Sequence, residues 1–104
     1  MKCLIIIDEI QIGEATLEVI DESMGAIGGI FAPSLAYQNF QHLIQGQCVQ
    51  KGISNINDFN YKLKTVDGEI LIPNGGIGIT DMNGINEIYV ESAGLNFSQI
   101  EKFK

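Results

Sequence analysis

The chain has 104 residues, 45% of them hydrophobic, which suits one globular domain spanning 1–104 and leaves no room for a second core. Its 13 acids stand against 6 lysines and no arginine, for a formal net charge of −7. That balance excludes the basic footprint with which proteins hold nucleic acid, Lys62 and Lys64 being the nearest approach to a basic patch. An acidic surface suits a basic protein partner instead, because complementary fields steer encounter.

The N-terminus, Met1 to Asp8, carries one positive charge and a short apolar run that a carboxylate soon interrupts. It reads as neither a signal peptide nor a membrane span, so a cytoplasmic protein without a membrane partner is expected. Cys3 and Cys48 are too few and too far apart in sequence for a disulfide framework or a zinc site and are expected to be reduced and buried.

Cys3 to Ile12 is dense in isoleucine and predicts strand one, since stiff β-branched side chains pack well on a pleated surface. After Gly13, alternation of Ala15, Leu17 and Val19 with Thr16, Glu18 and Ile20 predicts a second strand ending near Asp21. Asp21 to Gly25 is turn chemistry, and the glycine-rich apolar run Ala26 to Ala32 predicts a third strand closely approached by another backbone. These three form an expected antiparallel meander.

Pro33 and Ser34 predict a helix start, with the helix running to about Gly46. Tyr37, Phe40, Leu43 and Ile44 recur at helical spacing and should face the meander. Gln38, Asn39, Gln41, His42 and Gln45 then form the outer face. No formal charge occurs from Pro33 to Gln50, so this face is amide-rich where a solvated helix normally carries lysine and glutamate.

Gly52 to Asn60 reads as a loop. Tyr61 to Val66 and Glu69 to Ile72 flank Asp67-Gly68, a strong two-residue hairpin signal that predicts positive φ at the glycine. Ile77 to Thr80 and Glu87 to Val90 flank a second turn around Asn83-Gly84. Ser98 precedes an expected short terminal helix to Lys104.

No catalytic, cofactor or metal constellation emerges. His42 and Cys48 lie six residues apart on one helix, about 600 degrees of rotation, so their side chains leave different faces. Neither Gly25-Ala26-Ile27-Gly28-Gly29 nor Asn74-Gly75-Gly76-Ile77-Gly78 has dinucleotide or P-loop spacing. Asp81 to Asn86 lacks the glycine position and closing glutamate of an EF-hand and reads as a turn. Asp8-Glu9 and Asp21-Glu22 are adjacent pairs that point to opposite faces of a strand, not catalytic dyads. Six acids (Asp8, Glu9, Glu14, Glu18, Asp21 and Glu22) against Lys2 alone concentrate negative potential on the meander.

The run Asp21-Glu22-Ser23-Met24-Gly25-Ala26-Ile27-Gly28-Gly29-Ile30-Phe31-Ala32-Pro33, followed by Tyr37, resembles a segment of small uncharacterised bacterial proteins. Some of these resemble toxin-neutralising immunity proteins. The resemblance implies a small, acidic, cytosolic protein that masks the basic, substrate-binding face of a toxic domain. It transfers no binding residue and names no toxin.

The expected architecture is α+β: a mainly antiparallel, twisted or partly closed sheet of about seven strands, one main helix packed on it, and a short C-terminal helix. The expected function is a non-enzymatic binding protein, most concretely an immunity protein occluding a basic toxin domain. Glu14, Glu18, Asp21 and Glu22 would steer the partner, and Gln41, His42 and Gln45 would meet it at contact. The alternatives are a small-molecule-binding or enzymatic domain with a pocket between helix and sheet, and a structural subunit of a homo-oligomer.

Overall fold

Isoleucine alternation decides the first strand. In β1 (Lys2–Ile7), Cys3, Ile5 and Ile7 are buried while Lys2, Leu4 and Ile6 face outward, the period-two pattern of a half-buried strand. Fully burying one such isoleucine contributes about 2–3 kcal/mol. The computed structural model describes residues 1–51, 60–82 and 84–104, with backbone alone for residues 49–51; all of the expected loop Gly52 to Asn60 except Asn60, and Asn83 of the expected second turn, lie outside the described residues.

The expected first strand is in fact a hairpin. It turns at Asp8 and Glu9, and β2 (Ile10–Thr16) returns beside β1 with Ile7 opposite Ile10. Both turn residues have positive φ, 48° and 70°, the backbone of a two-residue turn whose twist matches the flanking strands. Asp-Glu is not a composition that advertises this turn, which is why the isoleucine run reads as continuous. The register shifts after Ile5, which pairs with Gly13 while Ile6 pairs with Gln11. Ile12 is therefore the extra residue of a bulge, and Ile12 and Gly13 are both buried.

The second expected strand divides at Leu17 into β2 and β3 (Glu18–Asp21). Leu17 donates its N–H to the Met1 carbonyl at 2.9 Å and its own carbonyl accepts from the Met1 nitrogen at 2.7 Å. It thus pairs toward β1, as Thr16 does, while Ala15 before them and Glu18 after them pair toward β4 (Ala26–Pro33). At this crossing a Cβ on Gly29 would lie 1.8 Å from the Thr16 carbonyl oxygen, the close backbone approach that the glycine-rich run implied. β1, β2–β3 and β4 form the expected meander.

Pro33 ends β4, opposite Gly13, and does not open the helix. Ser34 precedes a 3₁₀ turn (Leu35–Tyr37) without capping it; its hydroxyl donates to the Gln11 carbonyl at 3.1 Å. Helix α1 (Gln38–Lys51) follows and passes the expected end at Gly46 by more than a turn. Leu43, expected inside, is 59% exposed, whereas Tyr37, Ile44 and Cys48 are buried.

The second half builds β5 (Tyr61–Thr65), β6 (Ile70–Leu71), β7 (Ile77–Thr80) and β8 (Tyr89–Ser92). The sheet path is β6-β5-β1-β2-β4-β8-β7, with β3 pairing β4, and every pairing is antiparallel. The curled sheet of seven path strands, one main helix and the short helix α2 (Phe97–Glu101) make the expected α+β architecture. Asn96, not Ser98, caps α2: its side chain accepts from Gln99 N–H at 2.9 Å while Gln99 Oε1 accepts from Asn96 N–H at 3.0 Å. The β5–β6 link is three residues long, because Thr65 and Glu69 still pair and Gly68 N–H closes a turn onto the Thr65 carbonyl at 3.0 Å. Gly68 has the expected positive φ, 94°.

Candidate functional site

Two places concentrate polar chemistry: the seam between α1 and β7, and the outer face of the sheet.

At the seam, Asp81 just after β7 is 2% exposed. Its Oδ2 accepts from the Tyr37 hydroxyl at 2.7 Å and from Gln41 Nε2 at 3.2 Å, and its Oδ1 accepts from Gln45 Nε2 at 3.2 Å. Residues 37, 41, 45 and 48 follow helical spacing, so one stripe of the helical segment presents all four side chains to β7. Burial, then the hydrogen bond to Asp81, pushes the Tyr37 phenol well above its ordinary value. It is a fixed donor, not an acid–base group.

Cys48 completes the seam. Its thiol donates to the Ile79 carbonyl at 3.3 Å and accepts from the Asp81 N–H at 3.4 Å. A carbonyl and the N–H two residues later are the groups that one edge of a strand offers to a neighbour, and α1 answers both with one side chain. The helix therefore covers an edge that would otherwise invite pairing. Both cysteines are buried and neither is in a disulfide, and burial raises the Cys3 thiol, which disfavours its reactive thiolate. No group of three His, Cys, Asp or Glu among the described residues is placed to hold a metal.

This geometry corrects the expected contact face on the helix. Gln41 and Gln45 turn inward, half-buried on Asp81, because the carboxylate supplies acceptors for their amides. Only His42 of that trio stays on the outer side, exposed beside Leu43, and the buried Cys48 is on another face as the spacing required.

The four acids expected on the meander also separate. Glu14 lies 3.4 Å from Lys2, and Glu22 is engaged by Lys104. The Asp21 carboxylate accepts from the Ser23 hydroxyl at 2.7 Å and the Met24 N–H at 3.3 Å, which hold it below its ordinary value. Glu18 is exposed and, among the described residues, has no lysine within ion-pair distance.

Register gives Glu18 a companion that local sequence reasoning missed. Glu18 is opposite Gly28, Gly28 is opposite Glu91, and Glu91 is opposite Gly78. Opposite residues share a face, so two carboxylates flank a glycine that contributes no side chain of its own. In the next row Ile30 is opposite Tyr89. Built on Gly28, a Cβ would lie 2.4 Å from Ile20 Cδ1 and 2.6 Å from the Tyr89 hydroxyl, so both side chains lean across the glycine. Ile20 and Ile30 are 54% and 50% exposed. Glu18, Gly28, Ile30 and Tyr89 line a groove of about 560 Å³. Alternation puts Tyr89 and Glu91 on one face, although the strand expected at Glu87–Val90 lies at Tyr89–Ser92; its pairing with β7 was expected, whereas its pairing with β4 was not legible.

This face offers negative charge with no lysine partner among the described residues, exposed aliphatic surface and an aromatic hydroxyl. Such a set can attract and seat a cationic group but holds no nucleophile with an adjacent base. No helix among the described residues is long and apolar enough to cross a membrane. No family model matches the sequence, and no curated protein or solved structure matches it.

Proposed function

We propose that this chain is a non-enzymatic binding protein that docks a basic protein partner on the outer face of β3, β4 and β8, in the manner of a toxin-neutralising immunity protein. The observation that carries the reading is the pair Glu18 and Glu91, which have no lysine partner among the described residues and border exposed Ile20 and Ile30. Charge gives such a face long-range steering, and the adjacent aliphatics give it contact area once water is expelled. Glu14, Asp21 and Glu22 already have intramolecular partners and add to the field more than to the contact. A net charge of −7 disfavours nucleic acid as the partner, and two cysteines outside any disulfide suit a reducing compartment such as the cytoplasm.

The test is association kinetics with a basic protein that co-purifies with the chain or is encoded beside it. Glu18→Lys/Glu91→Lys should slow association and flatten its dependence on salt, because screening acts on the same term. An unchanged association rate at low salt would sink the reading.

A further inference from the structure

Helix α1 has little that would hold it together away from β7. Its first turn carries no acid to meet the helix dipole. No formal charge occurs from Gln38 to Gln50, so no ion pair braces one turn on the next. Gly46 lies in the helix interior with open space where a Cβ would stand; packing does not require the glycine there, and it weakens the helix relative to alanine. Among the described side chains of α1 only Ile44 and Cys48 are buried, and Phe40 packs on the core in part. Gln41, Gln45 and Cys48 add the polar seam to Asp81 and Ile79. The sheet is anchored differently: β1 buries Cys3, Ile5 and Ile7 and is paired on both sides, with β2 and β5. Opening within one protein follows such differences in buried apolar contact. We infer that α1 is a detachable strap, latched by its seam, which lifts from β7 as a unit while the sheet stays folded. Seated, it withholds from pairing the strand edge that Cys48 spans; lifted, it exposes that edge. None of these residues belongs to the proposed docking face, so the inference stands independently of that reading.

The two cysteines report the two levels of opening, since Cys48 lies under the strap and Cys3 inside β1, 2% and 0% exposed. The experiment is alkylation of the intact protein with N-ethylmaleimide, each site read by peptide mass spectrometry and divided by its rate in the urea-unfolded chain. Cys48 should react at least about tenfold faster than Cys3. Its dependence on urea should match that of hydrogen exchange at the Leu43, Ile44 and Gln45 amides, because one opening exposes them all. Gly68→Val acts on the β5–β6 turn and weakens the seated and the lifted state alike, so it should speed Cys3 about fivefold and leave Cys48 within about twofold. Gln45→Ala removes one seam donor and leaves a better helix former, and should speed Cys48 about tenfold. Equal normalised rates at the two cysteines, raised alike by Gly68→Val, would overturn the inference, because α1 would then leave only with the whole fold. Fast Cys48 with slow Leu43, Ile44 and Gln45 amides would also overturn it, since only the last turn would be fraying. A Cys48 rate unchanged by Gln45→Ala would overturn it as well, because the seam would not be the latch.

Discussion

The Tyr37 hydroxyl donates to the Asp81 carboxylate at 2.7 Å, joining the start of the helical segment to the end of β7 across 44 residues of sequence. Phe31 stacks edge-on against the Tyr37 ring at 5.1 Å, so Tyr37→Phe should keep the packing and remove only the donor. The buried carboxylate would then lose one of its three side-chain donors, at a cost of about 1–3 kcal/mol. Asp81→Ala strands the Tyr37 hydroxyl and the Gln41 and Gln45 amides together and should cost more than Tyr37→Phe. Urea denaturation of the two variants checks the order; equal midpoints for wild type and Tyr37→Phe would show that the seam is not held by this bond.

At the β1–β2 turn, Glu9 sits at φ 70°, a conformation that costs a residue with a Cβ roughly 1–2 kcal/mol relative to glycine. Glycine also gains more freedom in the unfolded chain, which offsets part of the relief. Glu9→Gly should therefore stabilise the fold by about 0.5–1 kcal/mol, read as a higher urea midpoint. A lower midpoint would contradict the turn geometry.

Gly68 closes the β5–β6 turn at φ 94°, with open space where a Cβ would stand. Any penalty on substitution is then conformational and not steric. Gly68→Val should destabilise by about 1 kcal/mol or more, and Gly68→Asn by distinctly less, because asparagine tolerates positive φ. Equal denaturation midpoints for the two variants would contradict this separation.

In the same turn the Thr65 hydroxyl donates to the Asp67 carboxylate, and this bond is the largest cause holding Asp67 below its ordinary value of 3.8. A carboxylate depressed by folding adds stability above its unfolded value and loses it as pH falls through the folded one. The gap in urea midpoint between wild type and Asp67→Asn should therefore be full at neutral pH and shrink as pH drops below 3.8. A gap that does not change with pH would remove the hydrogen bond from the account of this turn.

Local patterning made the meander, the glycine-rich strand, both second-half hairpins and the terminal helix legible, because period-two alternation and Asp-Gly chemistry act over a few residues. The β1–β2 hairpin escaped because Asp8-Glu9 reaches positive φ without glycine or asparagine. The helix face was misassigned because Gln41 and Gln45 are polar by composition yet turn toward a buried carboxylate 40 and 36 residues away. For the same reason Glu91 was missed: its neighbour across the sheet, Gly28, belongs to the first third of the chain. Long-range pairing sets which acids share a face, and one sequence carries no local record of it.

The proposed basic partner docks on the outer sheet face around Gly28. Backbone amide shifts of the isotopically labelled protein, followed during titration with a basic partner, test it most directly. The largest shifts are expected at Glu18, Gly28, Ile30, Tyr89 and Glu91, with Gln38, Asn39 and His42 on the outer side of α1 little changed. Shifts centred on α1, or spread evenly over acidic positions such as Glu9 and Glu101, would contradict docking on this face.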